Sequence, residues 1–140
     1  MIRLDLGTFG AVMQFAMDLE SFSKQFYSQL TSTLSNAAIG PSIERAMQRS
    51  AARLTTLERI RRENVTEMIL EPIKGLVTED FPYQEKQADS LDSAIALEEI
   101  RKGFYEKASE KIEFLIEAAD AFERLADENA DNMDLFQKHL

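Results

Sequence analysis

One twelve-residue stretch occurs twice in this chain and decides the fold. The first copy reads Ala16-Met-Asp-Leu-Glu-Ser-Phe-Ser-Lys-Gln-Phe-Tyr27, and the second reads Ala94-Ile-Ala-Leu-Glu-Glu-Ile-Arg-Lys-Gly-Phe-Tyr105. Six of the twelve positions are identical, at a constant offset of 78 residues. In both copies a Glu stands seven residues before the Tyr, which places both side chains on one helix face. We therefore expect two related helices that each direct a carboxylate and a phenol into a shared interior.

The composition favours long helices in a single domain, residues 1–140. Only 5 Gly and 3 Pro interrupt the chain, and 44% of its residues are hydrophobic, enough for a buried core. The net charge of −9 argues against nucleic acid as a partner. The chain has no Cys, which excludes disulfides and thiolate metal sites. Without a signal peptide or an apolar run long enough to cross a membrane, the chain is expected to be cytoplasmic and free of membrane partners.

Apolar periodicity and helix-ending residues predict four helices. The first is expected from about Thr8, a good N-cap, to about Ser35. The second is expected to carry Pro41 in its first turn and to continue to about Glu71, before Pro72.

The connection between helices two and three is the long one. Antiparallel neighbours in a bundle need only about 2–8 linking residues. The nineteen residues 72–90 reach up to ~60 Å when extended, enough to run the length of a bundle. Ser90 or Asp92 is expected to cap helix three, and the turn into helix four is expected near 110–116. The pattern predicts an all-α four-helix bundle with one long crossover between helices two and three.

The duplicated helix resembles those of rubrerythrins and related ferritin-like proteins. The shared pattern is Ala-x-x-x-Glu-x-x-x-x-x-Phe-Tyr, and the segment from Phe122 to Phe136 is similar to the family's fourth helix. The resemblance covers essentially the whole chain and implies the ferritin-like form of the bundle. In that family each helical hairpin supplies one lone Glu and one Glu-x-x-His pair to a di-iron centre. The resemblance assigns the two lone glutamates to Glu20 and Glu98.

The Glu-x-x-His pair is missing from helix four. Its two positions fall on Asn129 and Asn132, and Glu128 lies one residue early, turned about 100° around the helix. The single histidine, His139, has no Glu three residues before it. The resemblance thus leaves Glu20, Glu98 and Glu128 as a vestigial set of metal ligands.

The pair is missing from helix two as well. Its positions fall on Arg53 and Thr56, or on Leu54 and Leu57 if the alignment moves by one residue. Two interpretations of the buried glutamates stay open. Arg53 can bridge both carboxylates with its forked donors, or the glutamates are protonated or partly solvated.

Tyr27 and Tyr105 also have two interpretations. In an oxidation site they would hydrogen-bond the metal ligands. In a metal-free core they would bury their rings and donate their hydroxyl groups to a glutamate. The second interpretation treats them, with Arg53, as groups that support the two carboxylates.

Two functions from different classes follow, and the sequence leaves open whether the chain is an enzyme. The first is a non-catalytic bundle that has lost its di-iron centre, binds no cofactor, and has an interaction or structural role. The alternative is a carboxylate-bridged di-metal oxidoreductase or metal-binding protein with two iron ions per chain. A third and weaker hypothesis is a small-ligand pocket in the vacated interior. The apolar residues of segment 65–70 favour a homo-oligomer, most simply a dimer, with any other protein partner unidentified.

Overall fold

Four α-helices make up most of the chain. The structure, a computed structural model, describes residues 5–34, 38–64 and 72–140. The helices are α1 (Phe9–Thr33), α2 (Gly40–Glu63), α3 (Leu91–Lys111) and α4 (Ile116–Gln137). Within the described residues there is no strand, only an isolated β-bridge between Asp5 and Val77. The prediction of an all-α four-helix bundle is confirmed.

The helices pack in a ring in which α1 contacts α2 and α3, and α4 contacts the same two helices. Each helix turns its apolar stripe to the centre, because residues three and four apart share a face. None of the helices in the described ranges is long and apolar enough to cross a membrane.

Side-chain caps start two of the helices where the sequence predicts. The Thr8 hydroxyl accepts the Ala11 N–H at 3.1 Å, and the Ser90 hydroxyl accepts the Ser93 N–H at 3.2 Å. Each cap satisfies one of the backbone donors that the first turn of a helix leaves unpaired. Asp92, the other predicted cap of helix three, lies inside the first turn. The turn between α3 and α4 falls between their observed ends, within the predicted range.

α2 ends earlier than predicted. Asn64 leaves helical geometry, and its side chain donates a 2.7 Å hydrogen bond to the Ile60 carbonyl. The sequence places no Gly or Pro between this point and Pro72, so the prediction extended the helix to about Glu71. A short amide side chain can compete for the last carbonyl groups and end a helix without either residue. Residues 65–71 lie outside the described residues, and with them the apolar segment on which the dimer prediction rested.

Helices α1 and α3 run antiparallel across the centre of the bundle. Tyr27 near the end of α1 contacts Glu98 near the start of α3. Tyr105, two turns further along α3, contacts Glu20, two turns earlier in α1. The two repeats of the duplicated motif are therefore related by an approximate two-fold axis between these helices.

From residue 72 onward, the chain that leads to α3 runs along the length of α1. Arg61 at the end of α2 donates to Gln14 near the start of α1 at 3.1 Å. At that end of the bundle, the Ile73 amide donates to the segment preceding α1 at 2.9 Å. At the other end, the Thr33 hydroxyl donates to the Ala88 carbonyl at 3.2 Å, just before α3 begins. Two single-turn 3-10 helices, Thr78–Asp80 and Tyr83–Glu85, lie within this connection.

Aromatic rings fix the connection against the bundle. The Phe15 ring of α1 lies 6.2 Å from Phe81 and 5.5 Å from Tyr83, both in edge-on geometry, and 4.8 Å from Phe104 of α3. Edge-on and tilted pairs at these separations are the favoured arrangements of aromatic side chains. The connection therefore covers the junction of α1 and α3 and keeps water from the interior at that side.

Candidate functional site: an ion network in the bundle interior

Two fully buried glutamates lie at the centre of the bundle, Glu20 on α1 and Glu98 on α3. Each accepts a hydrogen bond from the tyrosine of the other repeat. Tyr105 donates to Glu20 at 2.5 Å, and Tyr27 donates to Glu98. The structure thus brings together the four side chains that the duplicated motif singled out, in a two-fold exchange.

Arg101 lies between the two carboxylates. It follows Glu98 by three residues on α3, so both side chains share one helix face. One terminal nitrogen, Nη1, donates to Glu98, and the other, Nη2, donates to Glu20 at 2.6 Å and to the Ser50 hydroxyl at 3.1 Å. The residue is fully buried, and its Nε has no hydrogen-bond partner among the described residues. The planar fork of one guanidinium therefore joins α1, α2 and α3.

Arg53 supplies the second buried cation. Its side chain is 2% exposed, and its Nη1 donates to Glu20 and to the Asn129 side-chain oxygen, both at 3.2 Å. Its Nη2 donates to the Leu125 carbonyl at 2.8 Å and to Glu128 at 3.2 Å. Arg53 thus ties α2 to α1 and to α4.

The geometry changes the predicted role of Arg53. The sequence left open a bridge from Arg53 to both buried glutamates. Of these two, Arg53 contacts only Glu20, and it is Arg101 that joins Glu20 to Glu98. The reason is the rotation of α2, which turns its two buried polar residues, Ser50 and Arg53, towards the interior. Thr56, the partner predicted for Arg53, is only partly buried and donates back to its own helix.

The two asparagines of α4 complete the shell around Glu98. Asn129 and Asn132 donate their amide groups to the same carboxylate oxygen at 2.8 and 3.0 Å. Arg49 donates to the Asn132 side-chain oxygen at 2.6 Å and pairs with Asp131 at 3.1 Å. Because Arg49 binds the oxygen of this amide, the NH₂ group is left to face Glu98.

The buried charges balance. The two glutamates carry two negative charges, and Arg53 and Arg101 carry two positive ones, all in side chains 2% exposed or less. Burial alone would raise the pKa of Glu20, but the Arg101 and Arg53 charges and the Tyr105 hydrogen bond hold the pKa below its usual value. Burial lowers the pKa of Arg101, but the adjacent glutamates raise it above its usual value. Glu20 and Arg101 are therefore both ionised near neutral pH.

The tyrosines remain neutral donors. Burial and the Glu98 charge raise the pKa of Tyr27 well above its usual value. Burial and the Glu20 charge do the same for the pKa of Tyr105. An ionised phenol beside a buried carboxylate would place two negative charges in contact, so each hydroxyl keeps its proton and donates it.

These residues do not fit a di-metal centre. Both oxygens of Glu20 and both oxygens of Glu98 already accept hydrogen bonds from protein donors. Two guanidinium groups lie where a divalent ion would need negative ligands, and they would repel it. Glu128, the third predicted ligand, is 43% exposed and faces Arg53. No cluster of three or more His, Cys, Asp or Glu side chains able to hold a metal occurs in the described part of the chain.

Comparisons of this chain with protein-family models, curated proteins and solved structures found no match.

Sequence reasoning missed Arg101 and Ser50. A signal for Arg101 was present, because Glu98, Arg101 and Tyr105 follow the spacing of one helix face. An alignment of the two repeats hides this signal, because the first repeat has Ser23 at the corresponding position. Ser23 is buried, and its hydroxyl donates a hydrogen bond to the Leu19 carbonyl at 2.8 Å. Only the second repeat therefore supplies a cation at this position. Ser50 gave no signal, because a lone serine in a helix has no distinguishing pattern.

Proposed function

We propose that this chain is a non-catalytic member of the ferritin-like, rubrerythrin-like bundles in which buried arginines have replaced the di-iron centre. The observation that carries the proposal is Arg101, whose two terminal nitrogens bind Glu20 and Glu98. These are the two glutamates that the resemblance assigns to the metal. The connection that runs along α1 and the two-fold exchange of tyrosines support the ferritin-like form of the fold.

In this proposal the ion network joins the four helices, which is the structural role of a metal centre in such a bundle. A di-iron centre of a four-helix bundle is built from side chains of all four helices, and so is this network, with Glu20, Ser50 and Arg53, Glu98 and Arg101, and Asn129 contributing. Each buried charge has a partner of opposite sign and further hydrogen bonds, which a stable buried ion pair requires. Buried polar networks of this kind favour one helix arrangement over its alternatives.

Because the ion network contains no reactive group, we expect the function of the chain to lie at its outer surface. Its buried carboxylates are neutralised, its phenols are held neutral, and none of its nitrogens is a titratable base near neutral pH. We infer a structural or interaction role in which the rigid bundle presents its outer faces to a partner, with no bound cofactor.

Metal content tests this proposal against the oxidoreductase alternative. The chain is expressed in iron-supplemented medium, purified without chelator, and analysed for iron and manganese by mass spectrometry. We expect far less than one ion per chain, with no difference between the wild type and Glu20→Ala. About two iron or manganese ions per chain, lost in Glu20→Ala, would establish the di-metal alternative instead.

A further inference from the structure

Two buried hydrogen-bond donors in the ion network have no acceptor among the described residues. Arg101 is fully buried, and one of them is its Nε–H group. The other is the hydroxyl proton of Ser50, which is fully buried as well. The Ser50 oxygen accepts a hydrogen bond from Nη2 of Arg101 at 3.1 Å, so the two donors belong to groups in direct contact. Both therefore lie at one place in the interior, where α3 meets α2.

The Ser50 hydroxyl differs from other hydroxyl groups of the bundle helices. A serine or threonine within a helix commonly donates to the carbonyl four residues earlier. Ser23 donates in this way to Leu19 at 2.8 Å, and Thr31 donates to Tyr27 at 2.9 Å. Ser50 makes no such bond within the described part of α2, and its oxygen contacts the Arg101 guanidinium instead. Its proton therefore needs an acceptor in the interior.

One carboxylate oxygen beside these donors can accept a further hydrogen bond. The two oxygens of a carboxylate together accept about four. Each oxygen of Glu98 accepts two, and so does Oε2 of Glu20. Oε1 of Glu20 accepts one from a described donor, which is Nη2 of Arg101 at 2.6 Å. Because the same nitrogen contacts Ser50, this oxygen lies close to both unpaired donors.

We propose that one water molecule binds at this point, between α1, α2 and α3. It accepts hydrogen bonds from Arg101 Nε–H and from the Ser50 hydroxyl, and it donates one to Oε1 of Glu20. A buried water typically makes about three hydrogen bonds to polar groups that would otherwise be unpaired, and three are available here.

The charges around this water site favour a neutral occupant. The two buried glutamates and the two buried arginines already cancel, so a bound anion or cation would add a buried charge without a counter-charge. Water both accepts and donates hydrogen bonds from a single atom, as the three groups require. The site depends on the contacts of the ion network alone and is independent of the interaction role proposed above.

A high-resolution crystal structure of the wild type tests the position of the water. We expect one density peak within about 3.2 Å of both Arg101 Nε and the Ser50 hydroxyl oxygen. A metal-free structure without that peak, or one in which Nε donates to a protein acceptor, would overturn the water site alone. A peak with the anomalous scattering of iron or manganese would overturn both the water site and the proposed loss of the metal centre.

Nuclear magnetic resonance tests the same site in solution. In the wild type, the Arg101 Nε–H proton should show a nuclear Overhauser effect to water with the sign of a long-lived internal molecule. Ser50→Ala removes one of the three partners and should shorten the residence time of the water about tenfold, the equivalent of one ordinary hydrogen bond.

Ser23→Ala is the matched control, because it removes a buried hydroxyl that donates only to its own helix. It should leave the residence time unchanged. A wild-type spectrum without the effect at Arg101, or equal residence times in the two serine variants, would contradict the proposal. The wild-type measurements decide the question even if Ser50→Ala does not fold.

Discussion

At the scale of single residues, Arg101 determines the character of the interior. Its fork binds one glutamate of each repeat, and its own helix supplies one of the two. With Arg53 it cancels the charge that the two carboxylates bring into the core. The same two carboxylates without these arginines would be a pair of buried anions, for which a cation is the natural partner.

Arg101→Met should destabilise the fold by about 3–5 kcal/mol, because it leaves a buried carboxylate without its counter-charge. Urea unfolding followed by circular dichroism measures this loss. Arg59→Met is the matched control, since it removes an exposed pair with Glu63 and should cost at most about 1 kcal/mol. Equal and small losses in both variants would show that Arg101 does not carry the balance of charge.

Alkaline pH should destabilise the protein through its buried tyrosines. The folded state holds the phenolic protons of Tyr27 and Tyr105 more tightly than the unfolded chain, whose tyrosines titrate near pH 10. Their contribution is therefore complete below about pH 10 and decreases as the pH rises above it. The melting temperature should fall steeply between about pH 10 and 11.5, and less steeply in Tyr27→Phe/Tyr105→Phe. A phenolate absorbance transition of all 3 tyrosines centred near pH 10 in the folded protein would contradict this.

Part of the ion network could be predicted from residue patterns in the sequence, and the rest could not. Glu20, Tyr27, Glu98 and Tyr105 could be predicted because a repeated spacing of seven residues is visible in any sequence. The contacts of Arg53 could not, since they depend on the rotation of α2, and a long helix without a repeat leaves that rotation undetermined. The rotation of α2 is seen only in the packed structure, where Ser50 and Arg53 both face the interior.

At the scale of elements, the long connection is part of the core. Phe81 is 7% exposed and its ring lies 6.2 Å from Phe15 and 5.4 Å from Phe104. The segment before α1 and the end of α1 both hydrogen-bond to this connection, which therefore adds contacts to the bundle beyond those between the four helices. Its path could be predicted because nineteen residues are too many for a tight turn and enough to traverse a bundle. The end of α2 could not, because the Asn64 side chain ends that helix without a proline or glycine.

Phe81→Ala should cost about 3–5 kcal/mol, the loss expected for a buried phenylalanine whose cavity cannot close. Phe114→Ala provides the control, since Phe114 is 40% exposed at the turn between α3 and α4 and should lose less than about 1 kcal/mol. Chemical denaturation of both variants makes the comparison. Small losses of stability in both variants would show that the connection is only loosely attached to the bundle.

At the scale of the whole molecule, we propose a bundle whose interior needs no metal. Where the four helices meet, the buried charges neutralise one another, and the remaining polar groups donate hydrogen bonds to the carboxylates. A metal ion that binds the folded state and not the unfolded chain would raise the melting temperature, and the rise would grow with the logarithm of the free metal concentration above its Kd. A protein that needs no metal would show no such dependence.

The melting temperature of the wild type decides whether the interior needs a metal. It is measured with excess EDTA and again with excess Fe²⁺ or Mn²⁺ under anaerobic conditions. We predict the same melting temperature in all three conditions, within about 1 °C, because Arg101 and Arg53 already neutralise Glu20 and Glu98. A melting temperature that rises by more than about 5 °C with metal and falls with EDTA would contradict it.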